Sequence, residues 1–162
     1  MAKAHMTLRS FYTRYSWWAG ILYCITVAIF FLMHNYSNSW LLFVGNMLFG
    51  AVIFMAVIRG NHRIHDTGSL KSLFMMGIKL SFFAVLIATV ITLLMVLLNA
   101  ILSDFSAQDS PGQMGSDTRT DMIFSLLSHT LAGNAFMGVL ATVLTSVTVK
   151  RNQKTEQGKT IY

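Results

Sequence analysis

The feature that most constrains this chain is an apolar run from Leu80 to Leu102 that contains no charged residue. An α-helix rises about 1.5 Å per residue, so roughly 20 apolar residues cross the ~30 Å hydrocarbon core of a bilayer. Three further apolar runs approach this length, at 17–33, 40–58 and 124–149. They are too long and too uniformly apolar for barrel strands, which alternate in polarity. The sequence therefore predicts an all-α fold, one integral membrane bundle of four transmembrane helices that occupies the whole chain.

The overall composition agrees with a membrane protein. The chain is 54% hydrophobic and 11% charged, whereas soluble domains carry about 25% charged residues. A water-soluble globule and a disordered chain are excluded on this ground. The lone cysteine, Cys24, permits neither an intrachain disulfide nor a cysteine metal cluster.

The positions of the charges predict the topology. Every Lys and Arg except Arg119 precedes the first span, follows the fourth, or lies between the second and third. By the positive-inside rule, this pattern predicts that both termini are cytoplasmic (N-in/C-in). The net charge of +6 is then explained by anionic lipid headgroups on the cytoplasmic face, so we expect the lipid bilayer as a partner and no nucleic acid.

The connectors differ in character. The segment 103–121 is rich in Ser, Asp, Gly and Thr and is expected to be a mobile external loop, with a calcium site as the weaker alternative. Thr67 or Ser69 can cap a helix, so the third helix is predicted to begin near Ser69. Residues 150–162 are expected to form a cytoplasmic tail. A cleaved signal peptide is the competing interpretation of residues 1–39.

One constellation carries ligand chemistry, His62-x-x-His65-Asp66. Two imidazoles and a carboxylate suit zinc or iron, but Arg63 places a repelling cation between the imidazoles. We therefore expect a solvated turn, with no metal site and no cofactor. Because no nucleophile elbow, P-loop, dinucleotide fingerprint or zinc-protease motif occurs in the sequence, we expect that the protein is not an enzyme and has no catalytic residues.

Polar side chains within the spans are the candidate functional residues. Counted at 1.5 Å per residue, Asn46, Thr92 and Asn134 lie at one depth, about 20–24 Å above the cytoplasmic end. They are predicted to form a hydrogen-bonded interhelical polar layer. Asn99 and His129 are predicted to form an outer polar cluster at about 30 Å, the level of the outer headgroups.

Small and polar residues also recur at helical spacing on the last two helices, so each helix presents one polar stripe. The stripes are Ser81, Thr89, Thr92 and Asn99 on the third helix, and Thr130, Asn134, Gly138, Thr142 and Thr145 on the fourth. Two interpretations remain open. The stripes are either packing surfaces, since such residues bond across helices in lipid, or the lining of a water or substrate path.

The layout from the second connector onward resembles a known family. A cytoplasmic segment GSLKSLFMMGIK (68–79) leads into a long third helix, a polar external stretch and a last helix that contains glycine and ends in Lys150-Arg151. This layout resembles uncharacterised four-helix inner-membrane proteins, mainly of Bacteroidota, known as the domain-of-unknown-function 4199 family. The resemblance implies a bacterial inner membrane and the same topology, and it implies no activity or cofactor.

Two functional hypotheses follow. The first is a non-catalytic accessory, assembly or interaction subunit of a membrane complex, because four short helices leave limited room for an internal pathway. The alternative is a small transporter or channel, built as a homo-oligomer around the polar stripes of helices three and four.

Overall fold

The computed structural model describes residues 8–33, 39–61, 69–106 and 116–159. The elements are α1 (Leu8–Leu32), α2 (Trp40–Asn61), α3 (Leu70–Ser106), α4 (Ser116–Ser128) and α5 (Asn134–Lys159). A π-helical turn, His129–Gly133, joins α4 to α5, and we call this continuous run the fourth span. These ranges contain no strand. The predicted all-α fold is confirmed, with four helices long and apolar enough to cross a membrane.

The helices extend beyond the apolar runs. Because α3 continues to Ser106 and α4 begins at Ser116, the connector predicted as a loop over 103–121 is helical at both of its ends. Residues 107–115 lie outside the described residues. Likewise α5 continues to Lys159, so most of the predicted tail is helical. Lys, Arg, Gln and Glu are good helix formers, and they extend a helix that the membrane segment has already nucleated.

The start of the third helix agrees with its prediction. The Ser69 side-chain oxygen accepts a hydrogen bond from the backbone N–H of Ser72 at 3.2 Å, and the Ser69 carbonyl accepts one from Leu73 N–H at 3.1 Å. This is the N-cap arrangement that satisfies an otherwise unpaired N–H group in the first turn of a helix. The competing cap residue, Thr67, lies outside the described residues.

The four spans form a ring. Helix α1 packs against α2 and α3, and α5 packs against the same two helices from the opposite side, while α2 and α3 touch across the diagonal. Consecutive spans run in opposite directions, so α1 and α3 are parallel. Ser16 Oγ donates to the Leu80 carbonyl (3.2 Å) and Cys24 Sγ to the Ala88 carbonyl (3.8 Å). In both bonds the donor and the acceptor residues are 64 positions apart in the sequence. Helices α1 and α3 therefore stay in the same register over two turns.

The interior and the exterior of the bundle are both apolar. Tyr23, Leu42, Phe49 and Ile53 are fully buried at its centre. Large apolar side chains also cover the outer surface of every span, and α3 is the least buried of the four. An exterior of this kind suits a hydrocarbon solvent and would be costly in water.

Candidate functional site: a buried polar seam

Many of the polar residues in the spans are buried inside the bundle. We use the name polar seam for a set of buried side chains from α2, α3 and the fourth span, each 5% exposed or less: Asn46, Ser81, Thr92, Thr130, Asn134, Thr142 and Thr145. The stripe predicted on the fourth helix is buried along its whole length. On α3 the inward positions are Ser81 and Thr92, whereas Thr89 and Asn99 are half-buried.

The two predicted stripes contact each other where α3 and α5 cross. A Cβ atom added at Gly138 would lie 2.7 Å from Ser81 Oγ and 2.8 Å from Ser81 Cβ. One turn further towards the start of α3, a Cβ at Gly77 would overlap the Thr142 side chain. Glycine at these two positions therefore lets the two backbones approach closely, as small residues do between membrane helices. At these crossings the stripes act as packing surfaces.

The seam threonines of the fourth span satisfy their own hydroxyl donors. Thr130, Thr142 and Thr145 each donate to the backbone carbonyl four residues earlier, at distances of 2.8, 2.7 and 2.6 Å. A hydroxyl with its proton bonded in this way is tolerated in an apolar interior, because no donor is left unpaired. The lone pairs of the hydroxyl oxygen can still accept a hydrogen bond from a neighbouring helix.

Thr130 uses a lone pair to bind Tyr23 of α1. The two side-chain oxygens are 2.9 Å apart. A carbonyl can only accept, so Thr130 donates its one hydroxyl proton to Leu126, and we infer that the Tyr23 hydroxyl donates to Thr130. Both side chains are fully buried. Sequence reasoning did not single out Tyr23, although a tyrosine in the middle of an apolar span carries a polar tip that usually finds a partner.

Asn46 and His129 form a second link between helices. The Asn46 Nδ2 atom lies 3.3 Å from His129 Nδ1. With the amide in this orientation its NH₂ group can only donate, so His129 Nδ1 is the acceptor of this bond. The Phe43 ring packs edge-on against the imidazole, with centroids 4.7 Å apart. The structure thus joins one residue of the predicted layer to one residue of the predicted outer cluster.

The π-helical turn lies beside both links. The Asn134 N–H bonds back to the carbonyl of His129, five residues earlier, and also to that of Leu131. A π-helical turn is closed by an i→i−5 hydrogen bond and so contains one more residue than an α-helical turn. Such turns occur frequently at functional sites. It carries His129 and Thr130, the partners of Asn46 and Tyr23, and it places Gly133 against the Asn46 side chain.

The hydrogen bonds predicted within the Asn46, Thr92 and Asn134 layer are not formed among the described residues. All three side chains are buried, but Asn46 bonds to His129, and neither amide atom of Asn134 has a hydrogen-bond partner. The Thr92 hydroxyl is not bonded to Asn46 or Asn134 and lies beside the Cys24 thiol. The Ala88 carbonyl, four residues before Thr92, accepts a hydrogen bond from the Cys24 thiol. Ser81 Oγ and Ser146 Oγ are likewise buried without partners.

The chemistry available at the seam is hydrogen bonding by amides and hydroxyls, together with one imidazole. The described residues contain no group of three or more His, Cys, Asp or Glu side chains placed to hold a metal ion. The sequence candidates His62, His65 and Asp66 lie outside the described residues. Asn99, the second member of the predicted outer cluster, is half-buried on α3.

Comparison with protein-family models, with curated proteins and with solved structures finds no match to this chain. The resemblance to the domain-of-unknown-function 4199 family therefore stays a prediction.

Proposed function

We propose that this protein is a non-catalytic accessory or assembly subunit of a membrane complex, located in a bacterial inner membrane. The observation that carries the proposal is the inward orientation of the polar stripes. Thr92, Thr142 and Thr145 are fully buried against neighbouring helices of the same chain. These polar side chains are thereby enclosed within the bundle, and the exterior is left for contacts with lipid and with other membrane helices.

The docking face that we propose for a partner is on α3. Leu93, Leu94, Leu97 and Leu98 are each about half exposed in the least buried of the four spans. Leucine side chains at this spacing present ridges into which another helix packs. A partner helix would gain dispersion contacts there that mobile lipid chains supply less well.

The alternative function is a homo-oligomeric transporter or channel that uses the stripes of helices three and four. The unpaired amide of Asn134 and the unpaired Ser81 hydroxyl favour it, because water or a substrate could bond to them. A pore between copies, however, needs these side chains on the outside of each protomer. Their burial inside a single chain supports the accessory role instead.

We also propose that both termini are cytoplasmic. Arg14, Arg59 and Lys71 are exposed where α1 begins, α2 ends and α3 begins, and these points lie at one end of the bundle, which we call the basic end. The Arg59 guanidinium donates to the Tyr15 hydroxyl at 3.1 Å. Clustered cations and an interfacial tyrosine are typical of the cytoplasmic membrane surface.

The partner is tested by site-specific photo-crosslinking in native membranes. A photoreactive residue at Leu97 on α3 is expected to give a discrete product with another membrane protein. The matched control is the same residue at Ile25 on α1, which is similarly exposed but lies away from the proposed face. Equal crosslinking at both positions, or lipid adducts alone at Leu97, would contradict the proposed docking face.

The alternative is tested by flux of protons and potassium ions into liposomes that contain the purified chain. The accessory role predicts flux no greater than in empty liposomes. Flux that is abolished by Asn134→Leu or Thr92→Val would instead establish the transporter.

The topology is tested with single cysteines in a Cys24→Ala background. A membrane-impermeant maleimide added to intact spheroplasts should label Ser39→Cys and should leave Lys71→Cys unlabelled until the membrane is permeabilised. The reverse pattern would overturn the proposed orientation.

A further inference from the structure

A groove of about 440 Å³ runs between α1 and α2 at the basic end of the bundle. Its polar residues, Arg14, Tyr15 and Arg59, come from the first turns of α1 and the last turns of α2. Further along, its walls are apolar and include Trp18, Leu22 and Met55. Because α1 and α2 run in opposite directions, these residues form a graded surface, cationic at one end and apolar at the other.

The cationic end is built to hold an anion. Arg59 is oriented by its hydrogen bond to the Tyr15 hydroxyl, 3.1 Å long. Arg14 lines the same end of the groove and is exposed. No carboxylate is among the described residues that line the groove, so the two positive charges are not neutralised there. Guanidinium groups present several N–H donors in a planar fork that matches the oxygens of a phosphate.

The apolar end suits a hydrocarbon chain. Trp18 and Met55 are about half exposed although they line a concavity. Tyrosine and tryptophan next to the arginines mark the level at which lipid headgroups meet the hydrocarbon. The groove therefore has a cationic end at the membrane surface and an apolar end towards the hydrocarbon. A phospholipid in the cytoplasmic leaflet has the matching arrangement, with its phosphate at the surface and its acyl chains directed inward.

We propose that this groove binds one anionic phospholipid, with the headgroup phosphate on Arg14 and Arg59 and one acyl chain along Trp18, Leu22 and Met55. The charge complementarity at the polar end selects a lipid over an apolar partner helix, which would supply no negative charge to either guanidinium group. This inference goes beyond the proposed accessory function and does not depend on the partner at α3.

The test uses Trp18 as a reporter in the full-length chain. In a Trp17→Phe, Trp40→Phe background, the protein is reconstituted into bilayers of phosphatidylcholine. Phosphatidylglycerol with brominated acyl chains, which quenches nearby tryptophan, is then titrated in. Quenching of Trp18 is expected to saturate at a much lower mole fraction than with brominated phosphatidylcholine.

Charge removal then identifies the headgroup site. Each cation near an anionic membrane surface contributes about a fivefold change in affinity, so the Arg14→Gln, Arg59→Gln double variant should weaken the binding of phosphatidylglycerol about 25-fold. The matched control is Lys71→Gln with Lys79→Gln, which removes the same charge from exposed residues of α3 that do not line the groove. This control should leave the preference intact.

A second variant keeps the proposal testable if removal of the arginines disturbs the fold. Ala51 lines the groove and is exposed. The variant Ala51→Phe therefore fills the apolar part of the groove, where the acyl chain would lie, while Arg14 and Arg59 remain. Its affinity for phosphatidylglycerol should fall several-fold, with unchanged helical circular dichroism. Three results would overturn the proposal: no preference for the anionic lipid, an equal loss in the lysine control, or displacement of the lipid by millimolar inorganic phosphate.

Discussion

The hydrogen bond between Tyr23 and Thr130 gives the sharpest prediction, because the structure assigns its direction. Thr130 directs its proton to the Leu126 carbonyl, and so the Tyr23 hydroxyl is the donor across the helices. Removal of the donor and removal of the acceptor are therefore not equivalent. Tyr23→Phe removes the whole donor hydroxyl, so no donor is left unsatisfied. Thr130→Val instead leaves the buried Tyr23 hydroxyl with no acceptor.

The magnitudes follow from this asymmetry. A side-chain hydrogen bond between membrane helices contributes about 0.6 kcal/mol on average and up to about 1.7 kcal/mol, so Tyr23→Phe should cost about 1 kcal/mol. An unsatisfied buried donor adds a desolvation penalty of about 1–3 kcal/mol. Both residues are 0% exposed, so surrounding solvent cannot replace the lost acceptor. Thr130→Val should then cost about 2–4 kcal/mol, and the double variant should cost little more than Tyr23→Phe.

The assay is reversible unfolding in mixed micelles with increasing mole fraction of dodecyl sulfate, followed by circular dichroism. The control is Thr89→Val, which removes a similar bond, 2.8 Å long, to the Val85 carbonyl on a half-buried part of α3; it should change the free energy of unfolding by less than about 0.5 kcal/mol. Equal costs for Tyr23→Phe and Thr130→Val, with additivity in the double variant, would refute the assigned direction and with it the buried link.

Three further predictions use the same preparation. Gly138→Ala should lower the free energy of unfolding by about 1–3 kcal/mol, because its methyl group meets the short, inflexible side chain of Ser81. Gly50→Ala should stay within about 1 kcal/mol of the parent, because the nearest atom is the flexible end of a methionine; a larger loss there than at Gly138 would contradict the close approach. Cys24 is 4% exposed and should react with maleimide at least about 100-fold more slowly in the native bundle than in dodecyl sulfate, and rapid native labelling would show that α1 is not packed as described. Ser69→Ala should cost about 0.5–2 kcal/mol and should speed hydrogen exchange at the first amides of α3, and unchanged exchange would show that the cap is dispensable.

Much of the architecture could be predicted from the chain because lipid imposes a simple rule. A long uncharged run must satisfy its own backbone hydrogen bonds, so it becomes a helix. The start of α3 was predictable for a local reason, since Ser69 satisfies an N–H group of the first turn. Helical spacing also predicted that the polar residues of the last two spans share one face of each helix. In the structure the fourth-span stripe and the α3 residues Ser81 and Thr92 are buried inside the bundle.

The pairing of residues within the seam was not predictable in the same way. Depth counted at a uniform rise per residue placed Asn46 level with Asn134 and below His129. In the structure Asn46 instead lies within hydrogen-bond distance of His129, which belongs to the π-helical turn. No side-chain pattern in the segment HTLAG predicts an i→i−5 turn. The roles of Tyr23 and the Cys24 thiol depend on which helix lies opposite each of them.

The ring order of the spans has a consequence for how the protein is made. Synthesis delivers α1, α2 and α3 first, and these can already assemble, since α1 packs against both of the others. Asn46 and Ser81, however, contact His129 and Gly138, which belong to the last span. Until that span docks, an amide and a hydroxyl face lipid. The half-made chain therefore differs chemically from the finished one inside the bilayer, and a membrane chaperone or protease that senses exposed polar groups could distinguish the two.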